Sequence, residues 1–391
     1  MKILIELTYY RPHTSGLTIY AERLAKAFVQ KGHQVTVLTS QYDKSLPREE
    51  TLDGVRIVRV PVLVRISKGV VMPTLGWWAN KLVKENDVIH LHLPQLDAAG
   101  LAFRGQLYKK PTVITYHCDL KMPHGLLSWA ANQGVHLANH VAGIFTHRIV
   151  TYTQDYADHS KFVSRFRDKL EVIDPPVELP VVSEKNIQQF KKKHDLDNAY
   201  PIIGMAARFA SEKGVEVVLN ALEEIVLKYP KVQVWFAGPF EHILGEEKYL
   251  ERLLPIIQQY QVSGNWKFLG LLSPDEMAVF YPNLDLLTIP SLNSTEAFGL
   301  VQIEAMINAV PSIASDLPGV RQPVLRHNMG KIIPIGDSHA FAQAVFEIIE
   351  NKDRYTQDHE AIRKKYAPST IVDKYIHLFN EIQAEIGHAV R

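Results

Sequence analysis

Glu296 and Glu304 stand eight residues apart in Ser291-Leu-Asn-Ser-Thr-Glu296-Ala-Phe-Gly-Leu-Val-Gln-Ile-Glu304, where an apolar strand gives way to a helix. The strand, Leu284 to Ile289, stops at Pro290, and Leu300, Ile303 and Ile307 then recur at helical spacing. The backbone N–H groups of Phe298 to Leu300 are therefore expected at a helix N-terminus without intrahelical partners, where the dipole favours an anion or sugar oxygens. Glu304, two turns on, returns to the side on which the helix begins, because eight residues at 3.6 per turn nearly close the circle. An acid in that place can accept hydrogen bonds from a ribose or similar diol. An acidic first turn followed by a surface glutamate would give the same spacing.

Two further stretches suit phosphate. In Gly204-Met-Ala-Ala-Arg208-Phe-Ala-Ser-Glu-Lys213-Gly214, a strand exit carries two cations five residues apart, with a glycine opening the next helix. Arg208 can fork two phosphate oxygens while Lys213 acts as a point charge. Solvated loop cations are the plainer reading, and the position at a strand exit favours the chemical one. In Pro12-His-Thr-Ser-Gly16-Leu-Thr-Ile-Tyr20, Gly16 offers bare backbone at a helix start. With no G-x-G-x-x-G and no Walker lysine, that loop is a weak signal by itself.

These residues need a scaffold that delivers them from strand ends. Short β-branched runs at Lys2 to Leu7, Val35 to Thr39, Val55 to Val60, Val88 to His92, Thr112 to Tyr116 and Arg148 to Thr151 alternate with helical patterns. Within Leu17 to Lys31, Ala21, Leu24, Ala25 and Phe28 form one stripe that ends at Gly32. A second series follows at Ile202 to Ala206, Val232 to Ala237, Trp266 to Leu269, Leu284 to Ile289 and Ser312 to Ala314. The alternation predicts an α/β protein with two doubly wound parallel sheets. Three prolines in Asp174-Pro-Pro-Val-Glu-Leu-Pro180 mark a hinge, so the expected domains are 1–176 and 177–368, with a last helix near 369–391 returning to the first.

Composition narrows the class. The chain has 391 residues, 46% of them hydrophobic, more than one core comfortably organises. A net charge of +1 gives no reason to expect nucleic acid as a partner. The single cysteine, Cys118, excludes an internal disulfide and suits a reducing compartment. No apolar run approaches the roughly 18 residues that span a bilayer, and the N-terminus turns acidic at Glu6, so cytoplasmic residence is expected.

Taken together, the first β-loop-α turn with Gly16, the Arg208 and Lys213 pair and the Glu296 to Glu304 segment resemble the retaining glycosyltransferases of family 4, which have the GT-B fold: two Rossmann-like domains facing a central cleft. The resemblance runs essentially end to end. It implies an acceptor-binding first domain and a nucleotide-sugar donor-binding second domain. Arg208 and Lys213 would neutralise the donor diphosphate, Glu304 would hold the ribose hydroxyls, and Glu296 would lie beside the transferred sugar. Phe298, Gly299 and Leu300 would offer backbone N–H groups, and His117 would lie over the sugar near its anomeric carbon. The base pocket would be formed by Leu269, Gly270, Leu271 and Leu272. Many members have two glycines in the first loop where this chain has Ser15-Gly16, which loosens the expected diphosphate contact there.

The resemblance further implies transfer of a hexose, with UDP-glucose as the chosen donor, to a saccharide or lipid-linked saccharide acceptor in polysaccharide or glycolipid assembly. Configuration would be retained without a stable covalent intermediate, so Glu296 would orient the sugar rather than attack it. A GT-B nucleotide-sugar epimerase and a non-catalytic nucleotide-sugar sensor are the alternatives.

No cofactor and no metal are expected. Asp195-Leu-Asp197 spells a metal-associated D-x-D in a polar turn, and His90-Leu-His92 and His136-Leu-Ala-Asn-His140 lack an obvious third ligand. Cys118 beside His117 points to the opposite face of an extended chain and reads as packing rather than thiol catalysis. Acceptor contacts are expected from Tyr9 to Thr14, Pro94 to Asp97 and Asp119 to Gly125. Phe162 and Phe166, set among Lys161, Arg165, Arg167 and Lys169, suit either a core stripe with a basic flank or peripheral contact with the inner face of a membrane.

Overall fold

The computed structural model describes residues 1–66, 69–120, 126–194, 199–243 and 245–388. The chain divides into two compact units, Met1–Pro176 with Tyr366–Arg391, and Val177–Lys365.

In the first unit eight strands lie in the order Leu170–Val172, Arg148–Thr151, Thr112–Tyr116, Val88–Leu93, Lys2–Glu6, Gln34–Gln41, Val55–Pro61 and Glu49–Leu52. Every pairing is parallel except the last, where Glu49–Leu52 runs antiparallel along the edge. Val88–Leu93 and Thr112–Tyr116 are buried at every position, as strands covered by helices on both faces must be. The helix Gly16–Gln30 begins where Ser15 Oγ accepts the Thr18 N–H at 3.2 Å. Its buried stripe includes Ala21, Leu24, Ala25 and Phe28, and the chain leaves it through Gly32 at φ 82°. The helix Pro368–His388 packs against it: Phe379 stacks on Phe28, and the Tyr375 hydroxyl lies 2.7 Å from both Tyr20 Oη and Thr115 Oγ1.

The second unit carries six parallel strands in the order Trp266–Gly270, Gln233–Ala237, Ile202–Ala206, Leu286–Ile289, Ser312–Ser315 and Gly330–Ile333. Alternation along Gln233–Ala237 divides the core, sending Val234 and Phe236 to one face and Trp235 and Ala237 to the other. Numbered by sequence within the sheet, the order is 3-2-1-4-5-6, the dinucleotide-binding arrangement. Its direction reverses between Ile202–Ala206 and Leu286–Ile289, and the corresponding reversal in the first unit lies between Lys2–Glu6 and Val88–Leu93. Loops leaving those strands define the crevices in which such sheets take ligands.

Candidate active site

Arg208 and Lys213 leave one strand at the reversal of the second unit and Glu296 leaves the other. Lys213 Nζ reaches Glu296 Oε2 at 2.7 Å across the crevice, with both side chains 19% exposed. Arg208 is held by Glu212 four residues on. The backbone joins the two loops as well, because Leu292 N–H donates to Glu212 O at 2.9 Å. Gly214, at φ 68°, makes this approach possible: a Cβ there would sit 2.1 Å from Pro290 O. Neighbouring strand exits are tied by Phe209 N–H to Pro239 O at 2.8 Å and Gly238 N–H to Gly270 O at 2.8 Å. The cations therefore project from a cross-linked rim.

The expected helix is shorter than its periodicity suggests, running Leu300–Met306, and Glu296 precedes it in the loop. The helical-wheel relation between Glu296 and Glu304 thus does not apply. The Gly299 N–H is not unpaired either, since it donates to Glu296 Oε1 at 3.1 Å. A carboxylate accepting an N–H at the start of a helix is the ordinary solution to an orphan donor. Glu296 consequently spans Lys213 and the helix entrance. Phe298 is buried, and Gly299 adopts φ 78° in a place where a Cβ would meet Ile289 Cδ1 at 2.6 Å. Leu300 opens the helix.

Glu304 lies on this helix, 7% exposed, and accepts the Tyr281 hydroxyl at 2.6 Å. In the segment expected to border a base, Leu269 and Leu272 pack into the core, Gly270 has φ 71°, and Leu271 is 68% exposed. Leu271 is the one of these four residues that is exposed.

His117 and Gly16 belong to the first unit. His117 follows Thr112–Tyr116 and is 8% exposed; its Nε2 lies 2.9 Å from His92 Nδ1, and its Nδ1 is hydrogen-bonded to the Tyr152 hydroxyl. Burial, with His92 adjacent, holds His117 well below the usual histidine range, and burial pushes His92 down to about 3. Both rings are neutral at ordinary pH. Gly16 is the first residue of its helix, and a Cβ added there would meet nothing within 4 Å. The protein's own packing does not require glycine at that position.

Beside the reversal of the first sheet, Gln95 donates to the buried Glu6 carboxylate and accepts from Thr8 Oγ1 at 3.0 Å. Burial, then the nearby Asp97 charge, raises Glu6 well above the usual carboxylate range, and burial raises Asp97 to about 6. Folding therefore favours protonated Asp97. That contribution is intact below the ordinary aspartate value and is lost as pH rises through about 6. Asp97→Asn should match the parent in urea denaturation at pH 4 and exceed it by about 2–3 kcal/mol at pH 8. Equal stability at pH 8 would mean that the Asp97 charge is already well solvated.

The remaining residues singled out in the sequence can be placed as well. Phe162 and Phe166 are 6% and 7% exposed, Phe162 stacking on Tyr116 at 4.4 Å, so the pair is a core stripe of the first unit. His90 and His92 lie buried inside the first unit, each with one nitrogen bonded, while His136 and His140 are on the helix Leu126–Phe145. Cys118 is partly buried and unbridged. Asp195-Leu-Asp197 and residues 121–125 of the Asp119 to Gly125 loop lie outside the described residues. Among the described residues no three His, Cys, Asp or Glu side chains are grouped to hold a metal, and no helix is long and apolar enough to cross a membrane.

Glu212, Tyr281, His92 and Tyr152, which fix the expected site residues, escaped the sequence reading of the site. Only Glu212 carried a local signal, its i,i+4 spacing from Arg208. The others are distant in sequence from the groups they hold.

A sequence model described as Glycosyltransferase Family 4 matches residues 14–180, and one described as Glycosyl transferases group 1 matches residues 186–366. The phosphatidyl-myo-inositol mannosyltransferase of Mycolicibacterium smegmatis is 24% identical over 90% of this chain and 85% of its own. The N-acetyl-alpha-D-glucosaminyl L-malate synthase of Bacillus anthracis is 21% identical over 98% of both chains. Among solved structures, Anabaena HepE in complex with UDP superposes with a TM-score of 0.73 at 18% identity, covering 97% of this chain and 100% of its own. The two matched segments take in every strand of both sheets except the first, Lys2–Glu6, together with the loops that carry the candidate residues, and the chain belongs to glycosyltransferase family 4, with its GT-B fold.

Proposed function

We propose that this glycosyltransferase moves a hexose from a nucleoside-diphosphate sugar, UDP-glucose being the first choice, to a saccharide or lipid-linked saccharide, with retention and without a metal. The observation that carries the reading is the Lys213–Glu296 pair at the reversal of the second sheet, with Arg208 beside it. Rupture of the sugar–phosphate bond leaves growing negative charge on the diphosphate, and fixed cations stabilise that charge as it develops. Arg208 and Lys213 supply this role from the protein. Glu296, tied to Lys213 and to the helix entrance, orients the sugar. Glu304, aligned by Tyr281, takes the ribose hydroxyls, and backbone at Gly270 and Leu271 borders the base.

His117 contacts the sugar through its ring edge or main chain. The departing phosphate takes the acceptor proton on the face it leaves, so neither carboxylate needs to act as a glycosidase nucleophile. Support for uridine comes from HepE, which binds UDP. The sugar is the freer choice, because the relatives named above include a mannosyltransferase and a glucosaminyl L-malate synthase.

Calorimetric titration of UDP, GDP and ADP with EDTA present tests the donor half directly. The expected result is selective binding of UDP without metal. Preference for GDP would replace the base and point to a mannose donor, and binding that returns only with a divalent ion would overturn metal independence.

A further inference from the structure

The grip on His117 is more elaborate than burial requires. Its Nε2 meets His92 Nδ1 at 2.9 Å, its Nδ1 meets the Tyr152 hydroxyl, and Tyr20 packs edge-on at 5.0 Å between ring centroids. These partners come from three elements: His92 from the strand Val88–Leu93, Tyr152 from the residues just after Arg148–Thr151, and Tyr20 from the helix Gly16–Gln30. His92 is itself wedged, its ring 4.5 Å from His90 and 5.7 Å from Tyr20. Among the described residues, the buried groups facing His117 are thus two phenols and a neutral imidazole, with His90 behind. None supplies a counter-charge that would favour an imidazolium.

Hydrogen accounting fixes the tautomer. A hydrogen bond between two neutral imidazoles contains one hydrogen. If His117 Nε2 supplied it, His92 would carry its own hydrogen on Nε2, which is buried and has no partner among the described residues. If His92 Nδ1 supplies it, His92 Nε2 is left as a bare acceptor. A buried donor without a partner is the rarer defect. His92 therefore donates to His117 Nε2, and the His117 hydrogen sits on Nδ1, directed at the Tyr152 oxygen.

We propose that His92 and Tyr152 are positioning residues that grip the His117 imidazole by both nitrogens and hold it as the Nδ1–H tautomer, so that the ring meets the sugar as a fixed, neutral edge and transfers no proton. This rests on the role given to His117 under the proposed function. It separates His117 from the general acid–base histidines of other group-transfer enzymes, whose rings need one nitrogen free to exchange a proton. It also gives the pair His90-Leu-His92 a purpose other than metal binding.

The test uses the full chain labelled with nitrogen-15 histidine, the His117 signals being identified by their loss in His117→Gln. Long-range proton–nitrogen spectra should show His117 with a protonated Nδ1 and a bare, hydrogen-bonded Nε2, unchanged from pH 5.5 to 8.5. Tyr152→Phe and His92→Leu should each turn this into averaged shifts. In UDP release from UDP-glucose, both should lose roughly ten- to a hundredfold in kcat with KM within twofold. His92→Asn, whose amide N–H can stand where the imidazole Nδ1–H stood, should recover most of the loss, which a packing role would not.

A wild-type His117 that titrates near pH 6.5, or averages between tautomers, overturns the proposal. So does unchanged kcat in Tyr152→Phe and His92→Leu beside a crippled His117→Ala. If His117→Ala turns over normally, the role of His117 in the functional reading fails and the kinetic half of the proposal fails with it. If the parent releases no UDP from UDP-glucose, the donor assignment fails on its own, and the nitrogen shifts, read without substrate, still decide whether the grip exists.

Discussion

Arg208→Ala should lower UDP release from UDP-glucose by roughly a hundred- to a thousandfold, the effect of deleting one preorganised group that stabilises transition-state charge. The side chain is 36% exposed and its recorded ion-pair partner is Glu212, so the fold has little to lose. Leaving Glu212 without its cation should cost about 1–3 kcal/mol of stability, well short of unfolding. UDP affinity should fall with the rate, because UDP carries the full charge that the transition state only approaches. Lys213→Ala should be at least as damaging for a reason peculiar to this site: it removes a cation and also releases the Glu296 carboxylate, 2.7 Å away, to repel the diphosphate. Adding Glu296→Gln to Lys213→Ala should then restore part of the UDP affinity even if turnover stays low. A double variant that binds UDP no better than Lys213→Ala would mean that Glu296 does not face the diphosphate, and normal activity in Arg208→Ala would sink the leaving-group mechanism.

Gly214→Ala should be among the most damaging single-methyl changes in the second unit. The residue sits at φ 68°, and the new Cβ would lie 2.1 Å from Pro290 O. That obstacle is backbone, which cannot rotate aside. The left-handed conformation alone costs an alanine about 1–2 kcal/mol, and the clash forces apart loops joined by the Glu212–Leu292 backbone bond and the Lys213–Glu296 pair. A total loss of about 2–4 kcal/mol in urea denaturation, with UDP binding abolished, is the expected result. Gly16→Ala is the matched control, since nothing stands within 4 Å of its added methyl. It should leave stability unchanged or improve it by about 0.5–1 kcal/mol, as an alanine in a helix does. Any fall in UDP-glucose turnover would then report a ligand pressing on the backbone. Unchanged turnover in Gly16→Ala would remove the first loop from the donor site.

The parallel sheets were legible because most central strands are short, buried β-branched or apolar runs and most are followed by a helical stripe, Gln34–Gln41 being the exception that leads directly to further strands. Edges were not: Glu49–Leu52 reads Glu-Glu-Thr-Leu and is largely exposed, and Gly330–Ile333 begins with a glycine and a lysine, so neither carries the pattern of a buried strand. The short antiparallel pair Val64–Ile66 and Gly69–Val71 was also invisible at three residues a strand. At the candidate site, residue types and spacing picked out Arg208, Lys213, Glu296 and Glu304. What spacing could not supply was the pairing: that Lys213 grips Glu296, that Glu296 caps Gly299, that Tyr281 holds Glu304. The Lys213–Glu296 and Tyr281–Glu304 contacts join residues far apart in sequence that only the fold brings together, whereas the Glu296–Gly299 contact is local, three residues along one loop, and depends on the loop conformation. The eight-residue wheel argument from Glu296 to Glu304 failed because the left-handed Gly299 delays the helix to Leu300.

The ring stack of Phe28 on Phe379 and the hydroxyl contacts of Tyr375 give the order of synthesis a structural meaning. The ribosome releases the N-terminal sheet first, yet that sheet receives its covering helix, Pro368–His388, only after all of Val177–Lys365 has emerged. The second unit is thus contiguous and can close while the first is still waiting. A nascent chain stalled near Lys365, or a mature one clipped there by a protease, would carry a finished second unit beside a first unit with the flank of Phe28 and the hydroxyl of Tyr20 open to water.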